Sequence, residues 1–303
     1  MGGFFMFRKW KKYGCILFLL IALPYVITIF INGPMRLTAP DQEETEVHVQ
    51  SKEDEKVWTL SLDAYGMGVL AKEIPMEMDI ETIKAQAVIV RTGLYKKMSE
   101  QKEGEKLVFT DSFYSMDDMK KEWKSHREEY YEKLSKAWNE TKERILTYED
   151  HPAYTPYCRI TNGKTRDARE ALGTEQYPYL KSVECGADRD AKDAYQSKEI
   201  EGTGYEITKQ DSAGYVLEVK QGEELMDGDT FRDRWGLASS CYTFKEGEKK
   251  TTVITQGIGH GLGMSQNMAQ SMAEEGKDYK EILDYFFEGT VLKEAAEISG
   301  DTE

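Results

Sequence analysis

The sequence predicts an α+β domain. Three observations carry that expectation: capped segments with helical apolar spacing in the first half, short β-branched and aromatic runs between turns in the middle, and a return to helix at the end. Trp58 to Ile74 mixes strand and helix signals, and Pro75 closes it, because the residue before proline is pushed out of the helical region. Asp79 is placed as an N-cap with Glu81 in the first turn, and Ile83, Ala87, Val90 and Leu94 then recur along a helix. Met116 to Arg144 is dense in charge, yet Trp123, Tyr130, Leu134 and Trp138 form one apolar stripe, so one or two helices with a solvated outer face are expected. From Tyr154 to Tyr242, segments such as Tyr205 to Thr208 and Tyr215 to Val219 read as short strands, parted by turn residues including Ser212-Ala213-Gly214. Thr251 to Thr255 reads as a last strand. Asn267 to Glu275 and Tyr279 to Phe287, the latter behind Asp278 as a cap, read as the closing helices.

The domain is expected to span residues 57–293 as one unit, with helices flanking mixed β structure. Ahead of it, Arg8, Lys9, Lys11 and Lys12 form a basic tail over residues 1–12, and the apolar run from Gly14 to Ile31 follows. That run is close to the ~20 residues of a membrane-spanning helix, and the basic flank orients its start to the cytoplasm. An uncleaved transmembrane anchor at 13–31, kinked at Pro24, is therefore expected, with the domain outside the cytoplasm; a cleaved signal peptide is the competing reading. Residues 32–56 read as an acidic linker and 294–303 as a disordered acidic tail. A net charge of −15 with no basic cluster after residue 40 excludes nucleic acid as a partner. Cys158, Cys185 and Cys241 lie beyond the anchor, an odd number, so at least one is a free thiol, a metal ligand or an intermolecular partner.

One segment is not explained by packing an ordinary element. Gly257, Gly259, Gly261 and Gly263 alternate around His260 and lead into Met264-Ser265-Gln266, leaving bare backbone that a ligand or another chain segment can approach. Every register of a dinucleotide fingerprint fails here, since the third glycine falls on Leu262, Met264 or Gln266. No Gly-Lys-Ser/Thr ending marks a P-loop, and Asn267 stands where a hydrolase elbow needs glycine. For His260 the plain reading is a histidine bonded to loop backbone; for Ser265 it is a helix N-cap.

The run Gly-His-Gly-Leu-Gly-Met-Ser-Gln, followed by Met272-Ala273-Glu274-Glu275-Gly276, Tyr279, Glu281-Ile282-Leu283, Tyr285-Phe286-Phe287 and Gly289-Thr290, resembles the C-terminal signature of the stage II sporulation protein D (SpoIID/LytB) family. Glu73-Ile74-Pro75 with Ile83-Lys84-Ala85-Gln86-Ala87 and Arg91-Thr92 resembles its glutamate block. Gly163-Lys164-Thr165-Arg166, then Tyr177-Pro178-Tyr179-Leu180-Lys181-Ser182-Val183, resembles its central block. Gly228-Asp229-Thr230-Phe231-Arg232 falls between the second and third.

The resemblance implies a lytic transglycosylase that cuts peptidoglycan glycan strands between N-acetylmuramic acid and N-acetylglucosamine, leaving an anhydro-muramoyl end, during engulfment in endospore formers. The sugar's own C6 hydroxyl is the nucleophile, so one carboxyl group serves as acid and then base. Glu73 matches the family's catalytic glutamate. By resemblance Gln86, Arg91, Lys164, Thr165, His260, Ser265 and Gln266 line or brace the substrate cleft, with the glycine run as a bare-backbone wall opposite Glu73. No cofactor is required by that chemistry, though some relatives carry a metal. Cys158 occupies the family's usual histidine position and Cys185 follows the central block, which implies a disulfide, narrowly preferred, or part of a zinc site, with two unrelated buried cysteines as a third reading. Implied partners are glycan strands, the membrane, and other sporulation wall hydrolases and membrane proteins. Departures at Cys158, Asn162 and Met268 leave a second expectation open, a non-catalytic wall-binding scaffold that recruits other hydrolases.

Overall fold

The computed structural model describes residues 45–50, 56–102 and 107–295. The expected anchor at 13–31 and the basic tail lie outside the described residues. Among the described residues no helix is long and apolar enough to cross a membrane. The architecture is α+β, a set of small sheets packed against helices around three apolar cores.

The folded region begins earlier than residue 57. Strand β1 (Glu46–Gln50) pairs antiparallel with β2 (Val57–Ser61) and parallel with β3 (Val108–Phe109). The expectation of a solvated linker fails here because Val47 and Val49 alternate with polar residues and turn into the first core. Helix α1 (Leu62–Glu73) starts at Ser61, whose hydroxyl accepts from the Ala64 N–H, and stops where Ile74 becomes extended before Pro75. Helix α2 (Ile80–Ser99) starts at Asp79, whose carboxylate accepts from the Glu81 N–H at 2.8 Å, as the sequence predicts. Its two sides enter different cores. Ile83, Ala87, Val90 and Leu94 join Tyr65, Leu70 and Trp138 in the first, while Ala85, Val88 and Ile89 join Met264, Ile282 and Phe286 in the second. A helix wedged between two cores must be apolar nearly all round, and α2 is the spine of the domain.

The charged stretch forms α3 (Met116–Trp123) and α4 (Arg127–Glu140), parted by a single 3-10 turn. Its apolar stripe covers the first core, with Leu134 and Trp138 buried. The second core is closed by β4 (Arg144–Tyr148), β5 (His151–Pro152) and β14 (Val291–Glu294). Glu294, expected in the tail, is in β14, paired with Arg144 through the ladder and an ion pair of 2.9 Å.

After β6 (Tyr157–Cys158) come the short helices α5 (Ala168–Leu172) and α6 (Gly186–Arg189), then a β-rich lobe. Its strands are β7 (Tyr195–Glu201), β8 (Tyr205–Gln210), β9 (Val216–Gln221), β10 (Glu224–Asp227), β11 (Tyr242–Glu246) and β12 (Lys250–Gln256). They form two three-stranded sheets, ordered β11-β12-β7 and β10-β9-β8, with α7 (Gly228–Trp235). Phe231, Tyr242, Val219 and Val253 fill the third core. Because Tyr195 pairs with Gln256, the chain leaves and re-enters the rest of the domain at one place. The glycine segment follows at once, then β13 (Met264–Ser265), α8 (Gln266–Glu274) and α9 (Tyr279–Phe286). Ser265 and Asp278 cap the two helices, as their sequence positions predict.

Candidate active site

Glu73 is the last residue of α1, held where the chain turns to insert Ile74 and Met76 into the first core. Its backbone carbonyl accepts from Gln266 Nε2 at 2.9 Å, and that same amide donates to Gln86 Oε1 at 3.2 Å. Gln266 follows β13 and Gln86 lies on α2, so the glutamate, its helix and the C-terminal block meet in one buried contact. The Glu73 carboxylate lies near Tyr157, a neighbour that the sequence does not reveal. Burial first, then the nearby charge of Glu73, push the Tyr157 phenol upward, so the phenol keeps its proton. Lys72 is turned elsewhere, its ammonium 4.4 Å from the centre of the Tyr114 ring.

The glycine segment is not an open wall. All four glycines adopt positive φ, and the side-chain space of each is taken by protein. A Cβ on Gly261 would sit 2.2 Å from the Tyr215 ring, and one on Gly263 would sit 1.9 Å from the Pro156 carbonyl oxygen. Backbone bonds run alongside: Met264 N–H to Pro156 O at 3.0 Å, Ile258 N–H to Ile160 O at 2.7 Å, and Arg166 N–H to Gly261 O at 2.8 Å. The bare backbone admits the Pro156 to Thr161 segment and the Tyr215 ring rather than a sugar. This corrects the expected bare wall facing a cleft.

Several expected site residues turn out to brace the fold. Arg91 is 3% exposed; it donates to Thr141 O at 2.6 Å and Trp138 O at 3.0 Å and stacks over the Trp138 ring, so it fastens α2 to the end of α4. Its guanidinium satisfies backbone carbonyls and does not meet Glu73. Thr165 is buried, donating to Lys181 O and accepting from the Val183 N–H. Lys164, half-buried, bridges by backbone to Glu184. Ser265 is fully buried; it donates to Asp188 at 2.7 Å while capping α8. His260 lies beside α7. Its Nδ1 accepts from the Leu262 N–H at 3.0 Å, which puts the remaining proton on Nε2. Burial, with Arg232 and Arg166 nearby, holds His260 down at about 4, so it is a neutral N–H donor and not a base.

Two hubs have no sequence signal. Asp188, fully buried, accepts from the Thr161 N–H and hydroxyl, the Ser265 hydroxyl and the Asn267 amide, tying the central block to the glycine block. Arg166 is the other. It donates to Asp211 at 2.6 Å, to Asp229 at 2.9 Å and to the His260 carbonyl at 3.2 Å, which joins the lobe to the glycine segment. Both depend on residues distant in the chain. Cys158 and Cys185 are buried free thiols, so the expected disulfide is not formed. Burial and the nearby Asp188 push both upward, Cys185 to about 12. No three His, Cys, Asp or Glu side chains among the described residues are grouped to hold a metal ion.

Known proteins resemble this chain over most of its length. It is 30% identical to stage II sporulation protein D of Bacillus amyloliquefaciens, over 84% of this chain and 80% of that protein. The chain belongs to the stage II sporulation protein D family. The SpoIID protein of Bacillus subtilis strain 168 is also 30% identical, over 80% of this chain and 77% of its own length. An uncharacterised protein of Brachyspira hyodysenteriae is 27% identical over 80% of this chain. The family profile described as "Stage II sporulation protein" matches residues 50–148. That match includes Glu73, Gln86 and Arg91, and the SpoIID relatives extend the likeness to most of the chain.

Proposed function

We propose that this SpoIID protein has a sporulation-related role and acts there as a lytic transglycosylase on peptidoglycan glycan strands, with Glu73 as the acid/base. The observation that carries this reading is the seating of Glu73 at the end of α1: its backbone carbonyl accepts from Gln266 of the C-terminal block, whose amide also donates to Gln86 on α2. Buried polar contacts of this kind fix the backbone from which the half-buried Glu73 side chain projects. Glu73 gives its proton to the oxygen that leaves muramic acid C1, and the C1–O bond breaks. It then takes the proton of the C6 hydroxyl as that oxygen bonds to C1, which closes the anhydro ring and restores the acid. One carboxyl group serves both steps, and neither step requires a metal.

His260, as a neutral N–H donor, suits a sugar oxygen or an N-acetyl carbonyl. The family role also motivates attachment to the membrane through residues 13–31 and work beside other wall hydrolases. Mass spectrometry of denuded glycan strands after incubation with the full chain tests the reading. Anhydro-muramoyl ends are expected; reducing ends alone would mean hydrolysis, and intact strands would mean a binding protein.

A further inference from the structure

We propose that Lys133 on α4 and Gln270 on α8 are positioning residues for Glu73, and that the two helices together clamp the strap of chain, Ile74 to Asp79, that follows it. This rests on the reading of Glu73 as the acid/base. Glu73 is the last residue of α1, so no further turn of helix supports it, and helix ends fray. Whatever keeps that last turn wound must come from outside the helix. The strap that leaves it runs straight to Asp79, the cap of α2.

Helix α8 holds the strap at its two ends. Gln266 donates to the Glu73 carbonyl at 2.9 Å, and Gln270, one helical turn later, accepts from the Asp79 N–H at 2.7 Å. Helix α4 holds the middle. Lys133 donates to the carbonyl of Met76 at 3.0 Å and to that of Met78, while Tyr130, one turn earlier, donates to the Glu77 carboxylate at 3.0 Å. Within the strap the backbone closes one turn, Met78 N–H to Pro75 O at 3.2 Å. That turn gives the Met76 and Met78 carbonyls no place in a helix or sheet, and the Lys133 ammonium takes both. Ile74 and Met76 are already buried in the first core, so apolar burial ties the strap to the domain. Burial is non-directional, whereas hydrogen bonds fix angles as well as distances; what the clamp adds is the direction in which the chain leaves Glu73.

The test compares the wild-type full chain with Lys133→Met and Gln270→Met, in which methionine keeps the apolar stem and removes the donor or the acceptor. On denuded glycan, each variant is expected to lower kcat about 10- to 100-fold with KM within about two-fold, the signature of lost alignment. Hydrogen exchange read by mass spectrometry needs no activity. Peptides covering residues 70–79 are expected to exchange about ten-fold faster in both variants, with those of the β-rich lobe, residues 195–256, unchanged. Because the two variants lie on different helices, either one alone decides the matter if the other does not fold. Wild-type kcat, a change in KM alone, or unchanged exchange at 70–79 would overturn the proposal. A wild-type protein that releases no anhydro-muramoyl ends sinks the transglycosylase reading instead, and the exchange comparison still decides whether the clamp holds the end of α1.

Discussion

Replacing Gly263 by alanine separates two explanations of the glycine segment, one in which glycine is needed for backbone conformation and one in which it is needed for close approach. Gly263 has φ of 70° and Gly276 has φ of 87°, so both substitutions force an L-residue into the left-handed region at a cost of about 1–2 kcal/mol. Only their surroundings differ. The new Cβ of Gly276→Ala meets nothing within 4 Å, whereas that of Gly263→Ala falls 1.9 Å from the Pro156 carbonyl oxygen. Relieving that overlap requires the two segments to part by more than ~1 Å in a close-packed interior. The Met264 N–H, bonded to that same oxygen at 3.0 Å in a fully buried residue, then loses its partner, which costs about 1–3 kcal/mol. Gly263→Ala is therefore expected to lose about 2–3 kcal/mol more than Gly276→Ala, measured by urea unfolding of the full chain followed by tryptophan fluorescence. Equal losses in the two variants would refute the close-approach account.

Three further outcomes follow from the buried polar groups. His260 sits at about 4 in the folded chain against an ordinary 6.5, so the unfolded chain binds the extra proton and stability falls as pH drops through that window. The loss is at most about 3 kcal/mol, and His260→Gln should remove it, which denaturant midpoints at pH 7 and pH 4 would check. Arg166→Met strands Asp211, whose side chain is 1% exposed, and is expected to cost about 3–5 kcal/mol; a loss below 1 kcal/mol would contradict the ion-pair account. Asp188→Asn cannot accept from Thr161, Ser265 and Asn267 together, and thermal unfolding should show about 2–4 kcal/mol lost although the side-chain volume is unchanged.

Local physics was legible in the sequence. Ser265, Asp79 and Asp278 cap helices because their short polar side chains sit one residue ahead of an apolar pattern, and Pro75 ends α1 because no helical residue can precede it comfortably. Strand β1 was hidden by composition: its acidic surroundings read as linker, although Val47 and Val49 carry the period of two that buries them. At the site, the glycines marked a place where backbone must come close to something. What comes close was not legible, since Pro156 and Tyr215 reach them through pairings set by the whole fold. Asp188 and Arg166 were missed as hubs for the same reason. Arg91, expected to line or brace the cleft, is one that braces: the fold buries it to hold two helices together.

The central claim is that Glu73 performs the proton transfers, and Glu73→Gln in the full chain tests it most directly. Glutamine keeps the shape of the side chain and removes the proton it must give and take back. With denuded glycan as substrate, the wild type is expected to release anhydro-muramoyl ends and Glu73→Gln to release none above background, while both bind the strands equally. Anhydro-muramoyl product from Glu73→Gln at the wild-type rate would contradict the account.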